Sequence, residues 1–294
     1  MQTVGLAPNP KKREALELAA EVLQWIESRG ARVVVMDEAA RKLGRDELAA
    51  ADSDVAAADV LLVLGGDGTV LRWSQLAARS GTPMLGVNFG QYGFITEIHP
   101  RDTIKALERI FDGDYIISNR SLLMARVIAK DGECKGEYTG LNDAVVSKGP
   151  VARMLGLRMF VNGKYIVTYS ADGIIVSTPT GSTAYSLSAG GPVVHPSVPV
   201  FVVTPICPHT MNARSLVVPD TEVINITGEA GEDDQELVLT LDGQVAHQLA
   251  PGDTVEITKA SIQAKLIQLD PLSFYHKLQQ RLRWGERFSG ERPC

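Results

Sequence analysis

Short apolar runs alternate with helical periodicity in the first third of the chain. The clearest run, Val60–Leu64, is unbroken, too short for an independent helix, and followed directly by glycine. A run of this kind is typical of a parallel strand that is buried on both faces. The whole pattern indicates a Rossmann-like, three-layer α/β domain with a parallel sheet. It predicts strands at 4–7, 32–36, 60–64 and 83–87, and helices at 11–29 and 102–111.

The pattern changes near residue 118. Short apolar segments follow one another from Leu122 onward, and glycine-containing hairpin signals separate several of them. Only 182–188 has a helical pattern in this half. The pattern predicts an all-β second domain of two packed sheets, like a β-sandwich. The hairpin signals are Asp131-Gly132, Asn162-Gly163 and Asp242-Gly243.

The last segment of the chain returns to helical periodicity at 273–284. It places Phe274, Leu278 and Leu282 on one face, and an apolar face of this kind must pack against other residues. We expect it to pack on the first domain. The predicted organisation is therefore an α/β domain at 1–118, a β-rich domain at 119–270, and a tail at 271–294 that completes the first domain.

Composition and charge exclude several classes of protein. The net charge is −6 and no basic stripe is visible, which argues against a nucleic-acid binder. No apolar span approaches the ~18 residues of a membrane helix, and the first residues do not resemble a signal peptide. Cys134, Cys207 and Cys294 lie far apart. This spacing predicts neither a disulfide framework nor a zinc site and favours a cytoplasmic location.

A glycine-rich turn follows the central strand. Gly65, Gly66 and Gly68 surround one charged residue, Asp67. Ligands of α/β proteins bind outside the carboxyl ends of strands, where free N–H groups beside a helix N-terminus attract anions. A carboxylate opposes an anionic ligand there, but it suits contact with a hydroxyl that attacks a phosphate. From this motif alone, a turn aspartate that bonds its own backbone is an equally good interpretation.

Two further features accompany this turn. Thr69 is placed to cap the following helix, which runs through Leu71 and Trp73. A second glycine-rich segment, 88–94, leaves the neighbouring predicted strand. We expect the two segments to lie side by side.

Hydroxyl residues and glycines crowd together between Ser170 and Pro192. Such a surface suits a nucleoside, with Tyr185 against a base and Thr183 and Ser188 bonding its edge. Ser182 or Thr183 is placed to cap a short helix. The alternative is a serine-rich capped helix with its tyrosine in the core.

The pair Asn142-Asp143 lies in a strand-like context, where both residue types are disfavoured. An asparagine can bond a base edge, and a carboxylate can accept from ribose hydroxyls. An ordinary turn is the alternative, and Asp172-Gly173 is equally ambiguous. No histidine pair has metal-ligand spacing. The Walker A and Gly-x-Gly-x-x-Gly patterns are absent, which disfavours P-loop enzymes and ordinary dehydrogenases.

Taken together, these motifs resemble those of the NAD kinases. The Gly-Gly-Asp-Gly-Thr turn at 65–69 is similar to the family's signature, and Asn142-Asp143 is similar to its second motif. The stretch 172–192 resembles the family's long Thr-Pro-Thr-Gly-Ser-Thr-Ala-Tyr motif, which is specific to it. Asp242-Gly243-Gln244 and the aromatic, basic tail are also similar, so the resemblance spans the whole chain. Diacylglycerol-type lipid kinases share the first motif alone.

The resemblance implies that ATP, or polyphosphate in some members, phosphorylates the 2′-hydroxyl of the adenosine ribose of NAD to give NADP. Asp67 would be the catalytic residue that contacts this hydroxyl, and Asn142 and Asp143 would hold the adenosine part. Ser170 departs from the members that have a basic residue there. The implied nucleotide-binding residues are Gly68, Arg72, Asn142, Asp143, Arg153, Ser170, Asp172, Thr183, Ala184, Tyr185, Ser186, Ser188 and Gln244.

The resemblance also implies a cofactor and an assembly. Phosphoryl transfer needs Mg²⁺ or another divalent metal, which would enter with ATP and have no dedicated protein ligands. Family members are usually homodimers or homotetramers, and neither nucleic acid nor membrane is an implied partner. Two alternatives remain: a lipid kinase, which should lack the Tyr185 motif, and a non-catalytic dinucleotide sensor, which need not keep Asp67.

Overall fold

Residues 3–90, 93–149, 155–228 and 237–282 are described by the structure, which is a computed structural model. The chain divides into two compact units. Unit 1 comprises Met1–Asn119 and Ala264–Cys294, and unit 2 comprises Arg120–Gln263. The domain boundaries that the sequence indicates, at residues 118 and 270, stay a prediction.

Unit 1 contains a parallel sheet with helices packed against it. Its first strands are β1 (Thr3–Pro8), β2 (Arg32–Met36), β3 (Ala49–Ala50), β4 (Val60–Gly65) and β5 (Pro83–Asn88). They lie side by side in the order β3-β2-β1-β4-β5. Every residue of β4 is buried, as an unbroken apolar run requires. The helices are α1 (Arg13–Ser28), α2 (Asp37–Lys42), α3 (Asp52–Ala56), α4 (Asp67–Ser80) and α5 (Thr103–Phe111).

Unit 2 is a set of antiparallel strands in two sheets. Its elements are β6 (Ile116–Ile128), β7 (Cys134–Gly140), β8 (Asp143–Lys148), β9 (Leu155–Val161), β10 (Lys164–Ala171), β11 (Gly173–Ser177), α6 (Tyr185–Ser188), β12 (Val200–Ile206), β13 (Leu216–Pro219), β14 (Ile224–Gly228), β15 (Leu237–Leu241), β16 (Val245–Leu249) and β17 (Thr254–Gln268). One sheet has the order β13-β12-β11-β8-β15-β16. The other contains β10-β9-β14-β17, and β6 pairs with both β17 and β7.

The core of unit 2 lies between these two sheets. Val146 of β8 and Phe201 of β12 come from one sheet, and Met159 of β9 and Ile224 of β14 come from the other. All four side chains are fully buried. Alternation of inward and outward positions along each strand produces this sandwich-like core.

Two of the predicted hairpin turns have the backbone that their sequences require. Asn162 and Gly163 have φ values of 49° and 74°, and Asp242 and Gly243 have values of 51° and 64°. Consecutive residues with positive φ are typical of the type I′ turn, whose twist matches that of the adjoining strands. Both turn predictions are confirmed.

The chain ends its described part in unit 1. Lys265 and Leu266 of β17 pair in parallel with Pro83 and Met84 of β5. Helix α7 (Ser273–Leu282) follows. The fold class expected from the sequence, an α/β part followed by a β-sandwich-like part and a final helix, is confirmed. Among the described residues, no helix is both long and apolar enough to cross a bilayer.

The predicted apolar stripe of α7 is only partly correct. Leu278 is buried, at 4% exposure, but Leu282 is 38% exposed, and Phe274 is intermediate. A polar side chain on the same helix, Lys277, is more buried than Leu282, at 12% exposure. Trp284 lies outside the described residues.

Candidate active site

Asp67 is the first residue of α4 and lies directly beyond the carboxyl end of β4. Gly66 is the N-cap, with extended backbone angles of φ −133° and ψ −174°. The prediction that Thr69 is the cap is wrong. Thr69 is the third helical residue, and its hydroxyl accepts a hydrogen bond from the Gly66 amide at 3.5 Å. This is the reciprocal half of a capping box, in which a side chain of the first turn reaches back to the cap.

None of the three glycines of this turn has a positive φ. Their role is therefore to leave room for neighbouring atoms, and not to adopt a backbone conformation that other residues avoid. A Cβ at Gly65 would come within 2.3 Å of the Thr69 hydroxyl oxygen. A Cβ at Gly66 or Gly68 would meet no atom within 4 Å. Gly65 therefore allows close packing inside the turn, whereas Gly66 and Gly68 border open space that a ligand can enter.

The Asp67 carboxylate accepts hydrogen bonds from the segment that leaves the neighbouring strand. Phe94 N donates to Oδ2 at 2.7 Å, and Thr96 donates to Oδ1 through its amide at 3.0 Å and its hydroxyl at 3.1 Å. Ile95 N lies 3.3 Å from both oxygens. The two glycine-rich segments therefore lie side by side, as the sequence predicts. The carboxylate bonds this second segment, 27 to 29 residues along the chain.

Residues 94–97, which we call the Asp67 clamp, are anchored on both sides. Glu97 N donates to Gly86 O of β5 at 2.8 Å. The Glu97 carboxylate accepts from Leu269 N at 3.2 Å and from Lys277 Nζ at 2.9 Å. A clamp with so many bonds holds the Asp67 carboxylate in one orientation.

A cavity of about 440 Å³ lies in unit 1 at the carboxyl ends of β1, β2 and β4. Its lining includes Gly66, Gly68, three basic side chains (Lys11, Lys12 and Arg72) and one acidic side chain, Glu38. Lys12 Nζ donates to Phe89 O at 2.9 Å. Arg72, which is exposed, pairs with Asp52 Oδ2 at 3.3 Å. Basic side chains beside a helix N-terminus form an environment that attracts anions.

In unit 2, Asn142 and Asp143 are positioned by a carboxylate far away in the sequence. Asp242 Oδ1 accepts from Asn142 N at 2.7 Å and from Asp143 N at 3.1 Å, and its Oδ2 accepts from Leu141 N at 2.9 Å. The αL conformation of Asp242 in its hairpin aims the side chain at these amides. The Asn142-Asp143 backbone is therefore fixed by a β-turn residue.

Both side chains of this pair are buried. Asp143 is 5% exposed and Asn142 is 8% exposed. Burial raises the pKa of Asp143 to about 7, with a smaller contribution from the nearby Asp242 carboxylate. Burial also raises the pKa of Asp242, and its three backbone hydrogen bonds oppose that increase. Asn142 Oδ1 is a buried acceptor with no hydrogen-bond partner, which is costly unless a further group donates to it.

The hydroxyl-rich stretch packs directly on this pair. Thr178 N donates to Asn142 O at 2.8 Å, and the Thr178 hydroxyl donates to Leu141 O at 2.5 Å. A Cβ at Gly181 would come within 2.0 Å of Asn142 O. Glycine is therefore the residue that allows 178–181 to lie against 141–142.

The prediction that Ser182 or Thr183 caps the short helix is wrong. Helix α6 begins at Tyr185, its N-cap is Ala184, and no side chain caps it. Ser182 is used elsewhere, because its hydroxyl donates to Pro179 O at 2.7 Å and accepts from Val194 N at 3.0 Å. The Thr183 hydroxyl donates to Thr180 O at 3.2 Å.

The predicted residues of α6 divide by exposure. Tyr185 is 47% exposed and Ser188 is also exposed. Ser186 is fully buried, and its hydroxyl lies 3.0 Å from that of Thr204. Tyr185 is thus not the core tyrosine of the alternative interpretation, whereas Ser186 is a packing residue.

The remaining predicted residues of unit 2 that the structure describes lie on or beside its strands. Asp172 forms an ion pair with Lys148 at 2.5 Å. Ser170 O accepts from His209 N at 2.8 Å, and Gln244 is exposed beside the 242–243 turn. Arg153 lies outside the described residues.

Comparison with known proteins adds to this geometry. The family model of the ATP-NAD kinase N-terminal domain matches residues 4–115, and that of the ATP-NAD kinase C-terminal domain matches residues 141–269. The chain belongs to the NAD kinase family. The resemblance of its motifs to that family is thereby confirmed, and the lipid-kinase alternative is not favoured. NAD kinases are phosphotransferases whose acceptor is an alcohol group.

Individual NAD kinases match over nearly the full chain. That of Moorella thermoacetica is 43% identical over 295 residues, covering 100% of this chain and 94% of the relative. That of Symbiobacterium thermophilum is 44% identical over 283 residues, covering 96% and 99%. The fold matches yeast NADH kinase complexed with NADH (TM-score 0.89, 24% identity, 99% of this chain and 90% of that chain). It also matches an NAD kinase from Archaeoglobus fulgidus in complex with ATP (TM-score 0.74, 22% identity, 96% and 99%).

The motifs of the NAD kinase family do not include every residue that positions Asp67, Asn142 and Asp143. Sequence reasoning missed the carboxylate of Asp242, although its turn was recognised, and it missed Glu97 and Lys277. The signal for Asp242 was an aspartate in a hairpin turn, which usually bonds its own turn. Neither Glu97 nor Lys277 belongs to a pattern in the sequence that would indicate this pairing.

The described residues contain no group of three or more histidine, cysteine, aspartate or glutamate side chains that could hold a metal ion. Within the described ranges, no cluster of these side chains would therefore cage a metal by itself.

Proposed function

We propose that this chain phosphorylates the 2′-hydroxyl of the adenosine ribose of NAD with ATP, giving NADP. The observation that carries the proposal is the Asp67 carboxylate, held at the N-terminus of α4 by the clamp and flanked by two glycines that border open space. Family membership supports the reaction type. The yeast and Archaeoglobus relatives, complexed with NADH and ATP respectively, support the two substrates.

Asp67 would act as the proton acceptor. A carboxylate has about four lone-pair positions. Three are used by the short bonds from Phe94 N, Thr96 N and the Thr96 hydroxyl, and Ile95 N makes a longer contact of 3.3 Å to both oxygens. The ribose hydroxyl would donate to Oδ2, which accepts one short bond and shares the long contact from Ile95 N with Oδ1. As the hydroxyl oxygen attacks the terminal phosphorus of ATP, the bond to the β-phosphate oxygen breaks, ADP leaves, and the hydroxyl proton passes to Asp67. The fixed carboxylate supplies the alignment on which phosphoryl transfer depends.

The three phosphates of ATP would lie along the cavity of unit 1 that Lys11, Lys12 and Arg72 line. The N-terminus of the 14-residue helix α4 favours negative charge, and Lys11, Lys12 and Arg72 line the cavity. A divalent metal that enters with ATP would neutralise charge on the β- and γ-phosphates. The three basic side chains would orient these phosphates.

The adenosine part of NAD would bind at Asn142 and Asp143. The unpartnered Asn142 Oδ1 would accept from the adenine amino group. The Asp143 carboxylate would accept from ribose hydroxyls in its ionised form, so binding would displace the proton that its raised pKa retains. Tyr185 would stack on the base, with Thr183 and Ser188 at its edge. Ala184, Asp172, Ser170 and Gln244 would complete this surface.

We also propose a cytoplasmic homodimer or homotetramer. The location is supported by Cys134 and Cys207, which are both free thiols, as expected in a reducing compartment. The assembly rests on the family resemblance and is tested by light scattering.

The test is incubation of the purified protein with NAD, ATP and Mg²⁺, with NADP measured enzymatically. We expect NADP to form, and chelation of the metal to stop it. Parallel reactions with polyphosphate and NADH define the donor and acceptor. The variant Asp67→Asn should form little NADP. Its control is Asp112→Asn, which removes the same charge from an exposed position elsewhere in unit 1. Tight NAD binding without turnover would instead identify a dinucleotide sensor.

A further inference from the structure

We propose that Lys277 is a positioning residue for Asp67. It would hold the Asp67 clamp in the conformation that orients the carboxylate. The inference rests on the proposed function, in which Asp67 accepts the proton. It assigns to the final helix a role in the geometry of the reaction in addition to its packing.

Lys277 contacts both ends of the clamp. Its Nζ donates to the Glu97 carboxylate at 2.9 Å and to Phe94 O at 3.3 Å. The side chains of this ion pair are 12% and 5% exposed for Lys277 and Glu97. One ammonium group from α7 thus joins the first and last residues of a four-residue segment.

The bond to Phe94 O reaches Asp67 through a single peptide group. On the other side of that group, Ile95 N–H faces the Asp67 carboxylate, 3.3 Å from both oxygens. Hydrogen bonds at the two ends of a peptide polarise each other in a partly buried environment. The ammonium therefore strengthens the donor that it faces across the peptide, and it fixes the plane of that peptide relative to Asp67.

The last residue of the clamp, Glu97, is anchored by three hydrogen bonds. Its carboxylate accepts from Leu269 N at 3.2 Å as well as from Lys277, and its amide bonds Gly86 O. Loss of the lysine would leave a buried carboxylate without its cation. The Phe94 end of the clamp would also lose its bond from the Lys277 ammonium.

Fold stability alone is a poor explanation for this pair. A buried ion pair is often no more stabilising than apolar residues of similar size, since both charges lose their hydration. The helix already has an apolar anchor in Leu278, which is 4% exposed. What the pair adds is a fixed geometry at the segment that bonds Asp67.

The experiment compares four variants of the full chain. Lys277→Met removes the ammonium. The double variant Lys277→Met/Glu97→Gln removes both charges, so that no buried carboxylate is left unpaired, and glutamine keeps an acceptor for Leu269 N. Lys105→Met is the control for loss of a lysine, because Lys105 is exposed on α5. Leu278→Ala is the control for weaker docking of α7.

Four quantities are measured for each variant: kcat and KM for NAD with saturating ATP, the melting temperature, and amide hydrogen exchange at 94–96. We expect both Lys277 variants to lose kcat on the order of 10- to 100-fold, since small misplacements have effects of this size. KM for NAD should change by less than about threefold, because binding energy away from the reacting atoms is retained. Exchange at Phe94, Ile95 and Thr96 should accelerate about tenfold or more, as expected for local opening. Lys105→Met should match the wild type, and Leu278→Ala should melt lower with nearly normal kcat.

A folded double variant with wild-type kcat and wild-type exchange at 94–96 would overturn the inference. So would a loss of kcat in Leu278→Ala equal to that in the Lys277 variants, since helix docking would then be the whole explanation. If the wild type makes no NADP, the proposed function fails. Hydrogen exchange still decides whether Lys277 holds the clamp.

Discussion

Replacement of Asp67 by asparagine changes hydrogen-bonding chemistry more than shape. The aspartate accepts at both oxygens, from Phe94 N on one and from the Thr96 amide and hydroxyl on the other. An asparagine has one acceptor oxygen and one NH₂ donor. Whichever way the amide is turned, an NH₂ group faces an N–H or O–H donor of the clamp.

The cost follows from these contacts. A hydrogen bond to a charged group contributes roughly 1.5–3 kcal/mol, and one between neutral groups about half of that. Asp67→Asn replaces at least one charge-assisted bond by a donor–donor contact and weakens the others. We therefore expect unit 1 to lose about 2–4 kcal/mol of unfolding free energy. Turnover should fall on the order of 10²–10⁴-fold, the usual contribution of a positioned proton acceptor.

The assay combines urea unfolding with NADP formation. Thr96→Val is the matched variant, since it removes one donor to Asp67 and leaves the carboxylate in place. It should lose about 1 kcal/mol and retain turnover within about tenfold of the wild type. A loosened clamp and a lost proton acceptor are thereby distinguished, because only Asp67→Asn suffers both.

Two outcomes would refute this reasoning. If Asp67→Asn unfolds at the same urea concentration as the wild type, the carboxylate does not hold the clamp in solution. If it retains wild-type turnover, Asp67 is not the proton acceptor and serves only the structure of the turn.

Three further predictions concern the nucleotide surfaces. Burial, and to a lesser degree the Asp242 carboxylate, raises the pKa of Asp143 from 3.8 in the unfolded chain to about 7 in the folded protein. The contribution of Asp143 to the free energy of unfolding should therefore decrease as pH rises from 3.8 to about 7. Asp143→Asn should flatten that decline in melting temperature, while calorimetry of the wild type should show NAD affinity increasing with pH up to about 7. Gly68→Ala should melt no lower than the wild type, since its Cβ meets no atom within 4 Å and alanine favours helix by about 1 kcal/mol. Its Kd for ATP should nevertheless rise about tenfold, because Gly68 lines the cavity assigned to the phosphates, and an unchanged Kd would show that Gly68 does not touch them. Gly181→Ala should destabilise unit 2 by roughly 1–3 kcal/mol and weaken NAD binding, because its Cβ would lie 2.0 Å from Asn142 O. A normal melting temperature would show that residue 181 does not approach Asn142 this closely.

Local chemistry made the fold class predictable. The buried run at 60–64 could only be accommodated in a covered sheet, and it is fully buried in β4. The Asn162-Gly163 and Asp242-Gly243 pairs need positive φ at both positions, and both have it. These features depend on a few adjacent residues, so the sequence carries them directly.

Helix caps were less predictable because hydroxyl side chains have competing partners. Ser182 bonds Val194 N instead of a helix terminus, and Thr69 bonds the amide of the cap from inside the helix. Which partner prevails depends on tertiary packing. Sequence spacing does not contain that information.

The partners that orient the candidate site are the least predictable part. Asp67 bonds residues 27 to 29 positions away, and Asp242 bonds residues about 100 positions away. Lys277 reaches Glu97 across 180 positions. Each is an ordinary charged residue in the sequence, and its role depends on which elements the fold makes adjacent.

The placement of α7 in unit 1 has a consequence for biosynthesis. The ribosome completes residues 1–119 first, and N-terminal domains generally begin to fold during synthesis. Lys277 emerges only after all of unit 2 has been translated, because unit 1 is interrupted in sequence by Arg120–Gln263. A nascent chain can therefore form the early strands of unit 1 while residues 94–97 still lack their ammonium partner. Acquisition of an ordered Asp67 should be among the last events in the maturation of this protein.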